Sequence, residues 1–128
     1  MIGLLGTTPI YLCRTATDMR KSFDGLHALV VQHLEEDPFS GALFVFVNRR
    51  RTMVKVLYWD RDGFALWYKR LEQGTFKLPA AGGDKIELDA AQLSMLLEGI
   101  TPRRINRRYR RAKNLEITPE NPPIKLDF

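Results

Sequence analysis

Three consecutive arginines, Arg49, Arg50 and Arg51, stand between two runs of core-type residues in LFVFVNRRRTMVKVLY, Leu43–Tyr58. Hairpin tips are usually built from Gly, Asn and Asp, which tolerate positive φ. Of those, the tip offers Asn48 alone. The triplet is therefore either a solvated loop or a grip for something anionic. Arginine suits a grip, because its planar guanidinium presents two parallel donors to a phosphate. More cations follow: Lys55 on the next strand, then Lys69 and Arg70 at the end of the one after. Arg103, Arg104, Arg107, Arg108, Arg110 and Arg111 crowd RRINRRYRRAKN, which holds seven basic residues and no acid. Tyr109 lies inside that run, where it could stack on a base or ribose. Neutralising phosphates releases counterions, so such binding is salt-sensitive. The plainer reading of the same residues is a solvated surface, or one that meets an acidic protein.

Other reactive groups do not converge along the chain. Ser22, Ser40 and Ser94 are the serines, and none lies in a G-x-S-x-G elbow. Cys13 falls in a strand-like run, where a lone cysteine reads as a small core residue rather than a nucleophile. His27 and His33 are six residues apart on one helical segment and do not face the same way. With one cysteine they match no familiar zinc spacing. Asp60 and Asp62 flank Arg61 at a turn, where Asx bonding is their ordinary work. Asp18 and Asp24 belong to a helix start and its polar face. A metal-dependent nuclease built on Asp60, Asp62 and another carboxylate is an alternative, but no third carboxylate has an obvious reason to join them. No glycine loop followed by Lys-Ser or Lys-Thr occurs, and AGGD is a plain loop. The expectation is no catalytic residue, no metal and no cofactor.

The elements that must position these residues can be read from periodicity. The chain has 128 residues, 45% hydrophobic and 27% charged, which suits one domain with its own core. Its net charge of +5 argues for an anionic partner, with nucleic acid the commonest. IYLC reads as a strand. From Asp18 to Glu36 the residues Met19, Phe23, Leu26, Val30 and Leu34 recur at helical steps, with Thr15 or Thr17 as cap and Pro38 as stop. GALFVFVN puts Leu43, Val45 and Val47 on one face and Phe44 and Phe46 on the other. TMVKVLYWD and FALWYKRLEQG continue it through a D-R-D-G turn into a three-stranded antiparallel meander. TFKLP could add a short strand ended by Pro79, and KIEL is a strand or an extended lead-in. LDAAQLSMLLEGI has a full helix grammar: Asp89 and Gln92 as capping box, Leu88 and Leu93 as staple, Gly99 and Pro102 as stop.

The predicted architecture is α+β: an antiparallel meander of three to five strands with two helices packed on one face. It occupies 1–101 as a single domain, and 102–128 forms a basic arm followed by a Pro-rich extended tail. Tyr58, Trp59, Phe64, Trp67, Tyr68 and Phe76 divide between the two sheet faces. The second face is then either core or an exposed aromatic platform. The apolar start MIGLLGTTPIYL lacks a basic n-region and a small-residue cleavage site, and no run is long enough to span a membrane, so the reading is a soluble intracellular protein.

Four stretches in order, D-M-R-K-x-F-D-G-L, F-x-N-R-R, K-V-L-Y-W-D-x-D-G-F and K-R-L-E-x-G-x-F, resemble the TnpB accessory protein of the insertion-sequence-sixty-six family of bacterial transposable elements, which is unrelated to the RNA-guided nuclease of the same label. The resemblance runs from about Ile10 to Ile100 and includes LDAAQLSMLLEGI. Matching positions are Asp18, Met19, Arg20, Phe23, Asp24, Gly25, Asn48, Arg49, Arg50, Lys55, Trp59, Asp60, Gly63, Phe64, Lys69, Arg70 and Leu71. It implies a non-catalytic protein that assists transposition in the bacterial cytoplasm, associated with the nucleoid if it binds DNA. The transposase and a second accessory protein of the element are the implied partners, and the strand-transfer chemistry belongs to the transposase. Family members end soon after the last helix in a short basic segment with a Trp. This chain instead carries the arm Arg103–Lys113 and the tail to Phe128. A protein-interaction adaptor, docking through the aromatic meander, is the alternative to a DNA-binding accessory factor.

Overall fold

The structure, a computed structural model, describes residues 7–80 and 82–98. The arm, the tail, Gly99 and Pro102 lie outside the described residues. The element order is β1 (Ile10–Cys13), α1 (Phe23–Gln32), β2 (Leu43–Val47), β3 (Met53–Asp60), β4 (Gly63–Arg70), β5 (Lys85–Leu88) and α2 (Ala90–Glu98). The five strands form one sheet in the order β4-β3-β2-β1-β5. The class is α+β, as expected, and β2-β3-β4 is the expected antiparallel meander.

The sheet is mixed rather than purely antiparallel, because β1 pairs with β2 in parallel, Ile10 opposite Leu43 and Cys13 opposite Phe46. The reason is the connection. Parallel neighbours need a long crossover, and the segment holding α1 supplies one, returning the chain to the end where β1 began. KIEL resolves as strand β5, antiparallel to β1.

Strand β2 explains the layering. All five of its residues are buried, so both faces of the sheet must be covered. Leu43, Val45 and Val47 pack with Ile10, Leu12, Val54, Val56 and Leu88 against Leu93, Leu96 and Leu97 of α2. Phe44 and Phe46 pack with Cys13 and Leu57 against Leu26 and Val30 of α1. The helices therefore sit on opposite faces, not on one. Burying an aliphatic side chain is worth about 1.5–3 kcal/mol, so two covered faces are what a small domain with no disulfide needs.

Helix α1 is shorter than the periodicity predicts. Neither Thr15 nor Thr17 caps it, and Asp18 makes a local turn ahead of it: its Oδ1 accepts the Arg20 N–H at 2.9 Å, and its carbonyl accepts the Lys21 N–H at 3.1 Å. The helix begins after Ser22. At its other end Glu35 turns left-handed at φ 56°, and the Leu34 and Glu36 N–H groups reach back to the carbonyls of Leu29 and Val30. Gly25 lies beside Lys21, where a Cβ would come within 3.1 Å of the Lys21 side chain. The glycine thus lets the first turn of the helix close against the Asp18–Lys21 loop.

Helix α2 starts as its residues dictate. The Asp89 N–H donates to Gln92 Oε1 at 2.8 Å, and the Gln92 N–H donates to Asp89 Oδ1 at 2.7 Å. That is a reciprocal capping box, with Leu88 and Leu93 buried beside it. TFKLP forms no strand. It is a loop anchored by Phe76, whose ring is fully buried and whose N–H donates to the Arg51 carbonyl at 2.7 Å.

Candidate nucleic-acid interface

Asn48 builds the arginine tip, but not by adopting positive φ. Its side-chain Oδ1 accepts the N–H groups of Thr52 and Met53 at 2.9 and 3.0 Å, and its carbonyl accepts the Arg51 N–H at 3.0 Å. The left-handed residue is Arg51, at φ 61°. In a turn closed by an i to i+3 bond, that last position is one glycine favours. The loop is thus closed at its base by Asn48, and the carbonyl of Arg51 is tied down by Phe76. Arg49, Arg50 and Arg51 are all exposed. Among the described residues, none of the three has a carboxylate within ion-pair distance.

Strand register shows what shares this end of the sheet. Met53 pairs with Arg70, which places exposed Arg70 beside the hairpin base, where it meets Glu72 at 3.2 Å. Lys77 follows the anchor Phe76. Arg20 lies in the Asp18–Lys21 loop and forks onto Asp18, its Nη2 2.6 Å from Oδ2. That contact, chiefly the side-chain hydrogen bonds and then the Arg20 N–H, holds the Asp18 carboxyl down at about 2. Arg20, Lys21 and Lys77 joined no basic cluster in the sequence reading. The Lys21 carbonyl is held by Lys55, and Lys77 follows the residue whose N–H ties down Arg51, contacts that no local spacing announces.

Two of the expected contact residues have other work. Lys55 is 7% exposed, and its Nζ donates to the carbonyls of Met19 and Lys21, both at 2.8 Å. It also lies over the Tyr68 ring at 4.7 Å. It is an internal clamp on the loop that carries Arg20. The Lys69 Nζ donates to the carbonyl of Leu97 at 2.8 Å, near the C-terminal end of α2, where a cation complements the helix dipole. Arg103, Arg104, Arg107, Arg108, Tyr109, Arg110 and Arg111 lie outside the described residues.

The opposite end of the sheet is different in character. Strand β3 runs eight residues from the arginine tip to Asp60, about 23 Å at the usual rise. There Arg61 and Asp62 turn the chain into β4, with Arg61 left-handed at φ 58°. Arg61 Nε lies 3.9 Å from Asp60 Oδ1, and both side chains are largely exposed. Among the described residues, no third metal-ligating group converges on Asp60 and Asp62. Beside this hairpin Phe39, 53% exposed, meets Trp59, Phe64 and His27 with ring centroids 5.1, 5.2 and 5.7 Å away. His27 is thus an aromatic-cluster residue. Tyr58 and Trp67 pack on the α2 face. The second face of the sheet is core along most of its length, with Tyr68 and the Phe39 cluster at its margins.

Comparison with known proteins now decides the lineage. The family model described as IS66 Orf2 like protein matches residues 8–107. The chain belongs to that family. It is 38% identical over 104 residues to the uncharacterized protein y4hO of Sinorhizobium fredii (strain NBRC 101917 / NGR234), covering 81% of this chain and 90% of the relative. It is 32% identical over 108 residues to the uncharacterized protein y4jC of the same organism, covering 84% and 92%. No solved structure matches the chain. Membership in the IS66 Orf2-like family makes this a transposition-associated accessory protein. Among the described residues no helix is long and apolar enough to cross a membrane.

Proposed function

We propose that this IS66 Orf2-like protein is a non-catalytic DNA-binding accessory factor, and that the Asn48-framed tip carrying Arg49, Arg50 and Arg51 is its phosphate-gripping element. The observation that carries this reading is the tip itself. Three guanidiniums project from a loop closed by side-chain and backbone bonds, with no carboxylate among the described residues to neutralise them. Arg70 pairs opposite Met53 at its base and Lys77 follows the Phe76 that ties down Arg51, and the cations of the 103–111 arm add to the same charge by sequence. Rigid presentation limits the entropy lost on binding. Contacts to phosphate position a protein on DNA without reading its sequence.

Electrophoretic shift of duplex and single-stranded DNA at two salt concentrations tests the reading. Binding that weakens steeply with salt, and a smaller salt slope in an Arg49→Ala, Arg50→Ala, Arg51→Gly triple variant, are expected. A chain that fails to shift either form of DNA at low salt would sink it.

Exposed Phe39 favours a second role that can coexist with the first. The Phe39–Trp59–Phe64 cluster offers an aromatic anchor of the kind enriched at protein interfaces, here for the element's transposase or second accessory protein. Capture of the purified transposase, lost in Phe39→Ser, is the expected result. Equal capture by the variant refutes this role for Phe39.

A further inference from the structure

Three side chains with no part in the arginine tip meet on the β1–β5 side of the sheet. Cys13 ends β1, His33 caps the C-terminal end of α1, and Asp84 precedes β5. Their ligand atoms all lie within 4.8 Å of one another. A tetrahedral zinc ion, with Zn–N of about 2.0–2.1 Å and Zn–S of about 2.3 Å, needs its ligand atoms about 3.3–3.8 Å apart. His33 Nε2 and Asp84 Oδ2 touch directly and would have to part for the ion to enter between them, with Cys13 Sγ closing in from the third side. We propose that Cys13, His33 and Asp84 form a binding site for one divalent cation of zinc-like softness, with the fourth position open to solvent.

The donor set narrows the ion. A thiolate together with an imidazole selects zinc and its neighbours over magnesium or calcium, which take oxygen ligands. Three protein ligands and one open position is a common arrangement for such ions. The surroundings are already ordered for it. Asp84 Oδ1 accepts the Thr15 N–H at 2.8 Å and the Thr15 hydroxyl, which leaves Oδ2 turned to His33 Nε2. The Asp84 backbone is fixed as well, because its carbonyl accepts the Arg14 N–H at 2.8 Å. Partners of this kind orient metal ligands and tune their affinity. The side chains of His33 and Asp84 are 40% and 36% exposed, giving an entry path, while Cys13 at 2% closes the inner wall.

Cys13 packs in the core with Phe44 and Phe46, and its Sγ reaches the Thr15 carbonyl at 3.6 Å, so the thiol is held in place beside the His33–Asp84 pair. A cysteine nucleophile would need its thiol pushed down, whereas burial, then the Asp84 charge, pushes the Cys13 thiol up to about 11. A cysteine binds such an ion as the thiolate, so cation binding releases the thiol proton to solvent. A bound ion would pin β1, the end of α1 and the start of β5 together.

The full 128-residue chain, stripped with chelator and kept reduced, is titrated with cobalt(II) chloride. The expected result is saturation at one equivalent with thiolate-to-cobalt charge-transfer absorption, reversed by zinc chloride. Cys13→Ala abolishes the absorption. His33→Gln, at a half-exposed position where folding is checked by circular dichroism, weakens binding at least about tenfold. Absence of the thiolate band in the wild-type chain overturns the proposal, and so does an unchanged titration in folded His33→Gln.

Discussion

Replacing Lys55 by Met separates scaffold from contact surface. The ammonium makes two charge-assisted hydrogen bonds, each 2.8 Å, to the carbonyls of Met19 and Lys21. Hydrogen bonds to charged groups are worth about 1.5–3 kcal/mol each, so their simple sum is about 3–6 kcal/mol. Two effects reduce it. Lys21 is exposed and Met19 half-buried, so the orphaned carbonyls regain some water. Removing a buried cation also recovers its desolvation cost, and the Met side chain keeps the packing of the stem. The expected loss for Lys55→Met is about 2–3 kcal/mol in urea unfolding of the full chain. In a domain of this size that is a fall in Tm of at least about 8 °C. Below the transition, the folded variant should bind DNA within about twofold of wild type, because a buried ammonium reaches no phosphate. A stability unchanged to within about 0.5 kcal/mol, together with a large loss of DNA affinity, would refute the reasoning and return Lys55 to the surface.

Asp89→Ala removes one half of the capping box of α2 and should cost about 1 kcal/mol in the same unfolding assay, with Gln92→Ala costing less. Arg51→Gly should leave stability unchanged or raise it by up to about 1–2 kcal/mol, because glycine relieves the left-handed backbone at φ 61°. It should nevertheless weaken DNA binding, a pairing of signs that a purely structural arginine would not produce. The Asp18 carboxyl sits at about 2, below its ordinary 3.8. A depressed carboxylate stabilises the fold above its ordinary value, and that contribution fades as pH falls through about 2. An NMR titration should place the Asp18 midpoint near 2, and Arg20→Ala should return it towards 3.8.

Much of this protein was legible in local pattern. The capping box of α2 needed only two residues three apart, and the turn at Asp60–Gly63 only its D-R-D-G chemistry. The alternation in LFVFV assigned Leu43, Val45 and Val47 to one face and Phe44 and Phe46 to the other, as found. That run also carries a signal of layering. Five apolar residues in a row imply a strand covered on both sides, hence helices on opposite faces. The Asp18–Glu36 periodicity overran the real helix because apolar spacing continues through residues whose backbone is held elsewhere, by the Asp18 side chain and the Lys55 clamp at one end and by left-handed Glu35 at the other.

The sequence by itself determined the element order, the α+β class, the exposed arginine tip and the family. Each rests on neighbours a few residues apart, or on a pattern repeated along the chain. Only the tertiary structure decided the parallel pairing of β1 with β2, the internal place of Lys55, the placing of Arg70 and Phe76 at the base of the tip, and the meeting of Cys13, His33 and Asp84. Those depend on where the chain returns after a crossover. That is settled by the burial of whole faces, and leaves no trace in the spacing of the residues it brings together.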